Sequence, residues 1–142
     1  MKSWSRVGVI LIGLALFGYA EVWGADWKLY SSSDNGTFYY DAESIIRPSR
    51  DVVRVWEKMF YSEKGVIDVV RKMGDKFKTL NYSVNLMEFH CAENKMRLLS
   101  SIDYSTDGGS LNIADYQDSE WNVLPPWGVG EELLKVICKQ PQ

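Results

Sequence analysis

His90 is the single histidine of this 142-residue chain. A metal centre built on two or three imidazoles therefore cannot form within one molecule. His90 stands beside Cys91 in strand-like sequence, where a sheet histidine hydrogen-bonded to a neighbour is the plain expectation and a pH-sensitive contact the sharper one. Nucleophilic catalysis needs a base held next to Ser or Cys, and the Gly-x-Ser-x-Gly, Cys-x-x-Cys and phosphate-cradling glycine patterns are all missing. Asp103-Tyr104-Ser105-Thr106-Asp107-Gly108 matches the first half of a calcium loop. Position twelve, however, is Ala114 where a bidentate Glu is required, so a hairpin turn is expected instead. Asp41 with Glu43 and Asp115 with Asp118 are spaced for acid-base work, yet both pairs fall where solvated surface charge is expected. Asn35-Gly36-Thr37 and Asn81-Tyr82-Ser83 fit the glycosylation triplet, which matters only in a host with that machinery.

Contact chemistry is better represented. Trp27, Trp56, Trp121 and Trp127 are bulky enough to build a core or to anchor a protein partner, and core is the default for each. Trp56 is the exception, because strand alternation sets it beside Arg54 and Lys58. Arg54, Trp56 and Lys58 are accordingly the expected partner-binding residues, with the indole between the two aliphatic stems. A second candidate surface is the segment from Lys64 to Lys78, whose five basic residues outnumber Glu63, Asp68 and Asp75. A solvated helix face is the plainer account of it.

The compartment follows from the N-terminus. Lys2 and Arg6 precede an apolar run from Val7 to Phe17, the pattern of a secretory leader, and the uncharged stretch to Ala20 is too short to span a bilayer as a helix. Small residues allow cleavage before Ala25 or before Glu21, and after Ala25 as a third site. A leader over residues 1–25 and a single domain over 26–140 are expected, with no transmembrane anchor after cleavage and a periplasmic or cell-surface destination. Cys91 and Cys138, the only cysteines, then both reach oxidising conditions, where one intramolecular bridge is expected and two separate buried thiols are the alternative.

These side chains must be positioned by a small set of elements. Trp27 to Tyr30 and Thr37 to Asp41 flank a cluster of turn formers, Ser31 to Gly36, and read as a hairpin. Ala42 to Ile46 reads as a single turn, and Arg47-Pro48-Ser49-Arg50 as a break. The run Val52 to Tyr61 is the strongest strand, with Val53, Val55, Met59 and Tyr61 on one face and Arg54, Trp56 and Lys58 on the other. Between Ser62 and Lys78 the period lengthens: Val66, Val69, Val70, Met73 and Phe77 recur every three or four residues, as in an amphipathic helix, with Gly65 and Gly74 weakening it. Tyr82 to Cys91, Lys95 to Tyr104 and Ser110 to Tyr116 form a meander in which Met96, Leu98, Ile102 and Tyr104 share a face and Cys91 faces the apolar side with Phe89. After Pro125-Pro126, a helix over Glu131 to Lys139 carries Leu134 and Cys138 on one stripe. A bridge from Cys138 to Cys91 would clamp it to the sheet.

The class is therefore α+β: an antiparallel sheet meander with a C-terminal helix packed on one face and disulfide-tied to it. Composition agrees, with 46% hydrophobic and 25% charged residues in a length suited to one domain. Without Lys2, Arg6 and Glu21 the sixteen basic and nineteen acidic side chains fall to fourteen and eighteen. A net acidic domain has no broad basic surface for nucleic acid.

The layout resembles the surface-adhesin protein E family of exported bacterial proteins. The resemblance is carried by Trp27, the run Phe38-Tyr39-Tyr40-Asp41-Ala42-Glu43-Ser44-Ile45, and Val53-Arg54-Val55-Trp56-Glu57-Lys58. It continues through Glu88-Phe89-His90-Cys91, Met96-Arg97-Leu98-Leu99, Trp121 with Pro125, and Val136-Ile137-Cys138. The stretch from Glu63 to Tyr82 corresponds least. The resemblance implies a sheet tied to its last helix through Cys91 and Cys138, a homodimer, and adhesion to extracellular-matrix or envelope proteins. The expected function is a non-enzymatic exported binding domain without cofactor or metal. The alternatives are a small periplasmic ligand-binding protein or enzyme using a groove between sheet and helix, marked by His90 with convergent carboxylates, and a structural envelope component.

Overall fold

The structure is a computed structural model that describes residues 25–139. The expected leader over residues 1–25 lies outside the described residues apart from Ala25, as does Gln140 of the expected domain. Strands β1 (Trp27–Ser33) and β2 (Gly36–Asp41) form the first hairpin. The sheet continues through β4 (Val52–Tyr61), β5 (Leu80–His90), β6 (Lys95–Ser105) and β7 (Ser110–Asp115) in the order β1-β2-β4-β5-β6-β7. Every pairing is antiparallel. Two short strands extend it: β3 (Ile46–Ser49) pairs with β4, and β8 (Asn122–Val123) pairs with the start of β6.

One face of this sheet is closed by helix α2 (Val129–Cys138). Its first turn carries Glu131 and Glu132, which suit the positive helix start. Leu133, Leu134 and Ile137 are buried against Tyr40, Val53, Val55, Met87, Phe89 and Leu124. Full burial of one such side chain is worth roughly 1.5–3 kcal/mol. Cys91 and Cys138 are joined in a disulfide with Cα atoms 5.8 Å apart, fixing the end of α2 to the end of β5. The α+β sheet with a tied C-terminal helix is thus the architecture that the sequence implied.

Helix α1 (Glu63–Met73) interrupts the meander between β4 and β5. Ser62 caps it by accepting from the Gly65 N–H at 3.1 Å, and the Ser62 N–H donates to the Asn35 carbonyl at 2.8 Å, docking the helix start on the β1–β2 turn. A Cβ at Gly65 would meet the Asn35 carbonyl oxygen, so this close approach requires glycine. The helix stops at Gly74, which adopts φ 108°, and a 3-10 turn over Asp75–Phe77 buries Phe77. The expected helix through Lys78 is therefore shorter, because Gly74 takes a left-handed conformation that ends the ladder.

Several local readings differ from the observed structure. Ser31 to Ser33 extend β1 rather than forming the turn, which narrows to Asp34 and Asn35. Arg47 and Pro48 lie inside β3; the paired positions are Ile46 and Ser49, with irregular register between them, so Pro48 need not donate a ladder bond. Met96 and Leu98 do not share a face with Ile102 and Tyr104. Ser100 pairs with Leu86 while Leu98 pairs with Met87, leaving Leu99 as an extra residue that reverses the alternation. Met96 and Leu98 consequently join the core under α2. Trp127, for which core was the default, is 92% exposed at φ 60°.

Candidate binding surface

The face of the sheet turned away from α2 is built by strict alternation. In β4 the residues opposite the buried Val53 and Val55 are Arg54, Trp56, Lys58 and Phe60, and in β5 their paired neighbours are Glu88, Leu86, Val84 and Tyr82. Tyr39 of β2, Ile102 and Tyr104 of β6, and Ile113 of β7 continue the same face through the register. Apart from Glu88, these side chains are half-buried or exposed, with Phe60 at 38% and Ile113 at 69%.

Four rings form a continuous file across four strands. Tyr39 meets Phe60 edge-on at 5.9 Å, Phe60 meets Tyr82 at 5.3 Å, and Tyr82 stacks on Tyr104 at 4.8 Å. Such contacts contribute about 0.5–1.5 kcal/mol each beyond the area they bury, and they hold the rings in fixed orientations. The Lys58 ammonium lies 4.4 Å from the Trp27 ring centroid, 5.3 Å from Tyr82 and 5.8 Å from Phe60. Partial burial draws its pKa below the ordinary lysine value, and the nearby Asp41 carboxylate opposes that shift.

At the other end of the same face, Glu88 is 2% exposed and holds two guanidinium groups. Arg54 reaches its Oε2 through Nε at 2.9 Å and Nη2 at 2.8 Å, and Arg97 reaches Oε1 through Nε at 2.9 Å and Nη2 at 2.7 Å. Four charge-assisted hydrogen bonds thus satisfy one buried carboxylate. Arg97 in turn lies over Trp121 at 4.4 Å, and Trp121 meets His90 edge-on at 5.8 Å. His90 Nδ1 accepts from the Glu93 N–H at 3.2 Å, so that ring atom serves the β5–β6 turn.

The three expected contact residues, Arg54, Trp56 and Lys58, therefore line one face, but their polar atoms are used differently. Arg54 is engaged by Glu88, the Trp56 backbone N–H donates to Ser44 Oγ at 3.0 Å, and the Lys58 head sits among rings from three strands. Sequence alternation found these three and, carried two residues further along β4, reaches Phe60; it did not find Trp27, Tyr39, Tyr82 and Tyr104, because their assembly depends on non-local strand register.

The remaining candidate chemistry resolves into structure. Asp41 is buried and accepts from the Asp26 and Glu43 N–H groups at 2.8 and 3.0 Å, so it caps a turn rather than facing solvent as expected. Asp103 lies in β6 and accepts from Ser83 at 2.5 Å, and Asp107 accepts from the Gly109 N–H at 2.8 Å within the hairpin turn. Among the described residues no group of three His, Cys, Asp or Glu is placed to hold a metal ion.

On the side of the sheet that α2 covers lies a carboxylate that spacing alone does not single out. Glu57 is buried, accepting from the Tyr30 hydroxyl at 2.5 Å and from Asn85 Nδ2 at 3.1 Å, while Asn85 accepts from Ser101 at 2.7 Å. Burial raises the Glu57 pKa above the usual glutamate range, against the lowering effect of those two hydrogen bonds. Desolvation and the neighbouring carboxylate likewise push the Tyr30 phenol upward. A folded-state pKa above the unfolded one stabilises the fold most below the unfolded value of about 4.3 and loses that contribution as pH rises through the folded value. Urea titrations across pH should show the wild type losing stability above the ordinary glutamate range, and Glu57→Gln losing less there. Parallel curves for the two chains would remove Glu57 from this role.

The fold has counterparts among known proteins. The family model described as surface-adhesin protein E matches residues 27–139. Two crystal structures of protein E from Haemophilus influenzae are similar in fold. One, from a non-typeable strain, has a TM-score of 0.50 at 15% identity, covering 78% of this chain and 74% of that one. The other, crystal form II, has a TM-score of 0.48 at 16% identity, covering 71% of this chain and 79% of that one. Among curated protein sequences, none matches this chain.

Proposed function

From the premise that the chain belongs to the surface-adhesin protein E family, we propose that it is an exported, non-enzymatic adhesin-like domain that binds other proteins at the cell surface. Residues 1–25 act as the leader and 26–140 as the exported domain. The partner is an extracellular-matrix or envelope protein. The observation that carries this reading is the ring-and-cation face opposite α2: oriented aromatics around Lys58, in a sheet whose other face is already closed. Rigid aromatic side chains lose little entropy when a partner covers them, which is why they concentrate binding energy.

In this reading Trp56 and Lys58 touch the partner, and Arg54, fixed by Glu88, presents its remaining guanidinium edge at the rim. Trp56→Ala combined with Lys58→Ala should weaken capture of purified extracellular-matrix proteins about thirtyfold, the equivalent of roughly 2 kcal/mol at a hot spot. The melting temperature should stay nearly unchanged. A loss of many degrees would instead assign Trp56 to the core, and unaltered capture would move the contact elsewhere. The homodimer belongs to the same proposal, and sedimentation equilibrium of the exported chain reads it directly.

A further inference from the structure

Helix α1 is amphipathic, but its apolar stripe is only partly covered. Ile67 is 49% and Met73 59% exposed, Val66 and Val70 are only half-buried, and the helix residue that is buried is Gly65. Val66, Ile67 and Val70, with Glu63, Arg71 and Lys78 at the margins, line an open groove of about 600 Å3. From Arg71 to Lys76 every residue is exposed, so the end of the helix and its Gly74 turn project from the sheet. Around this apolar stripe stand Lys64, Arg71, Lys72, Lys76 and Lys78. Their carboxylate contacts are long and exposed: Arg71 to Asp68 at 3.9 Å, Lys78 to Asp75 at 3.7 Å and Lys64 to Asp34 at 4.0 Å. Contacts of this kind hold their cations weakly.

We propose that α1 and its following turn dock on an anionic lipid bilayer, the apolar stripe entering the headgroup boundary and the five cations resting against lipid phosphates. Three observations favour a bilayer over a soluble occupant. The chain is acidic overall while this projecting segment carries a cationic excess, so an anionic plane meets attraction here and net repulsion from the rest of the domain. Met73 lies outside the groove on the projecting end, where a single bound amphiphile would leave it uncovered and a bilayer would not. A short helix with aliphatic residues confined to one face and charged residues over the rest is built to lie in an interface rather than to cross it. No helix of the described residues is long and apolar enough to cross.

The test uses the whole chain as recovered from an exporting bacterium, the variants differing from it only on α1 and its turn. Sedimentation with vesicles of phosphatidylglycerol and phosphatidylcholine in equal parts should carry the wild-type chain down, and vesicles of phosphatidylcholine alone should carry down far less. Lys72→Glu with Lys76→Glu should weaken the first by about tenfold or more, since each cation near an anionic surface contributes roughly fivefold. Ile67→Asp with Met73→Asp should weaken it similarly, and added salt should act mainly on the wild type. All four positions are exposed, so the disulfide-bonded fold persists in both variants, which circular dichroism checks. Equal partition onto both vesicle types, or anionic binding untouched in both variants, overturns the proposal. So does uptake of a soluble fatty acid without vesicle binding, which would make the groove a ligand site.

Discussion

Replacing Cys91 and Cys138 together with serine is expected to cost about 4 kcal/mol of unfolding free energy, one of the two largest losses expected for this chain. The bridge spans a sequence separation of 47, and closing a loop of that size removes roughly 4 kcal/mol of chain entropy from the unfolded state. Against a whole stability of about 5–15 kcal/mol for a single domain, the loss would lower the melting temperature by some 10–20 °C. The location adds a specific consequence. Cys138 ends α2, and the same helix supplies Leu133, Leu134 and Ile137 to the core, so the reduced chain should lose α2 before it loses the sheet. Hydrogen exchange on the serine variant reads this order: early exchange in Val129–Cys138 with β4 and β5 still protected agrees with it. Simultaneous exchange of all three would show that the bridge acts on the domain as a whole.

The second large effect belongs to the Glu88 cluster. Removing both guanidinium groups, as in Arg54→Met with Arg97→Met, leaves a carboxylate that is 2% exposed without its four donors. Stranding a buried charge in this way costs about 3–5 kcal/mol. Adding Glu88→Met to the same chain should restore most of that stability, because three apolar side chains of similar length no longer bury a charge. Denaturant midpoints of the double and triple variants decide the matter. A triple variant as unstable as the double one would show that Arg54 and Arg97 contribute through packing, Arg97 on Trp121 in particular, rather than through the carboxylate.

Much of the architecture is legible in residues 27–139 because the relevant signals are local. The β-branched and aromatic run of β4 alternates cleanly, the turn formers around Asp34 and Asp107 mark hairpins, and the stripe through Leu134 and Cys138 declares the closing helix. What escaped was set by register. A single extra residue at Leu99 sends Met96 and Leu98 to one face and Ile102 and Tyr104 to the other, and no pattern within β6 alone announces it. Pro48 sits in a strand because its missing N–H falls between paired positions. Glu57 is an outward residue by its charge, yet alternation places it with Val53 and Val55, and only the partners Tyr30 and Asn85, supplied by other strands, make that burial tolerable. The candidate surface divides in the same way. Arg54, Trp56 and Lys58 lie on one strand and are visible from it, whereas Trp27, Tyr39, Tyr82 and Tyr104 reach the same face from β1, β2, β5 and β6.

The covalent link between the end of β5 and the end of α2 also sets how the domain bears tension. A pull applied beyond Cys138 passes through the two sulfur atoms straight into the sheet, so α2, β6 and β7 form a closed ring that carries no load. At about 3.5 Å per extended residue, some 160 Å of contour length is withheld from stretching. Such a pull would therefore strain the ladders of β1, β2, β4 and β5 while the stretch from β6 to α2 stayed mechanically silent.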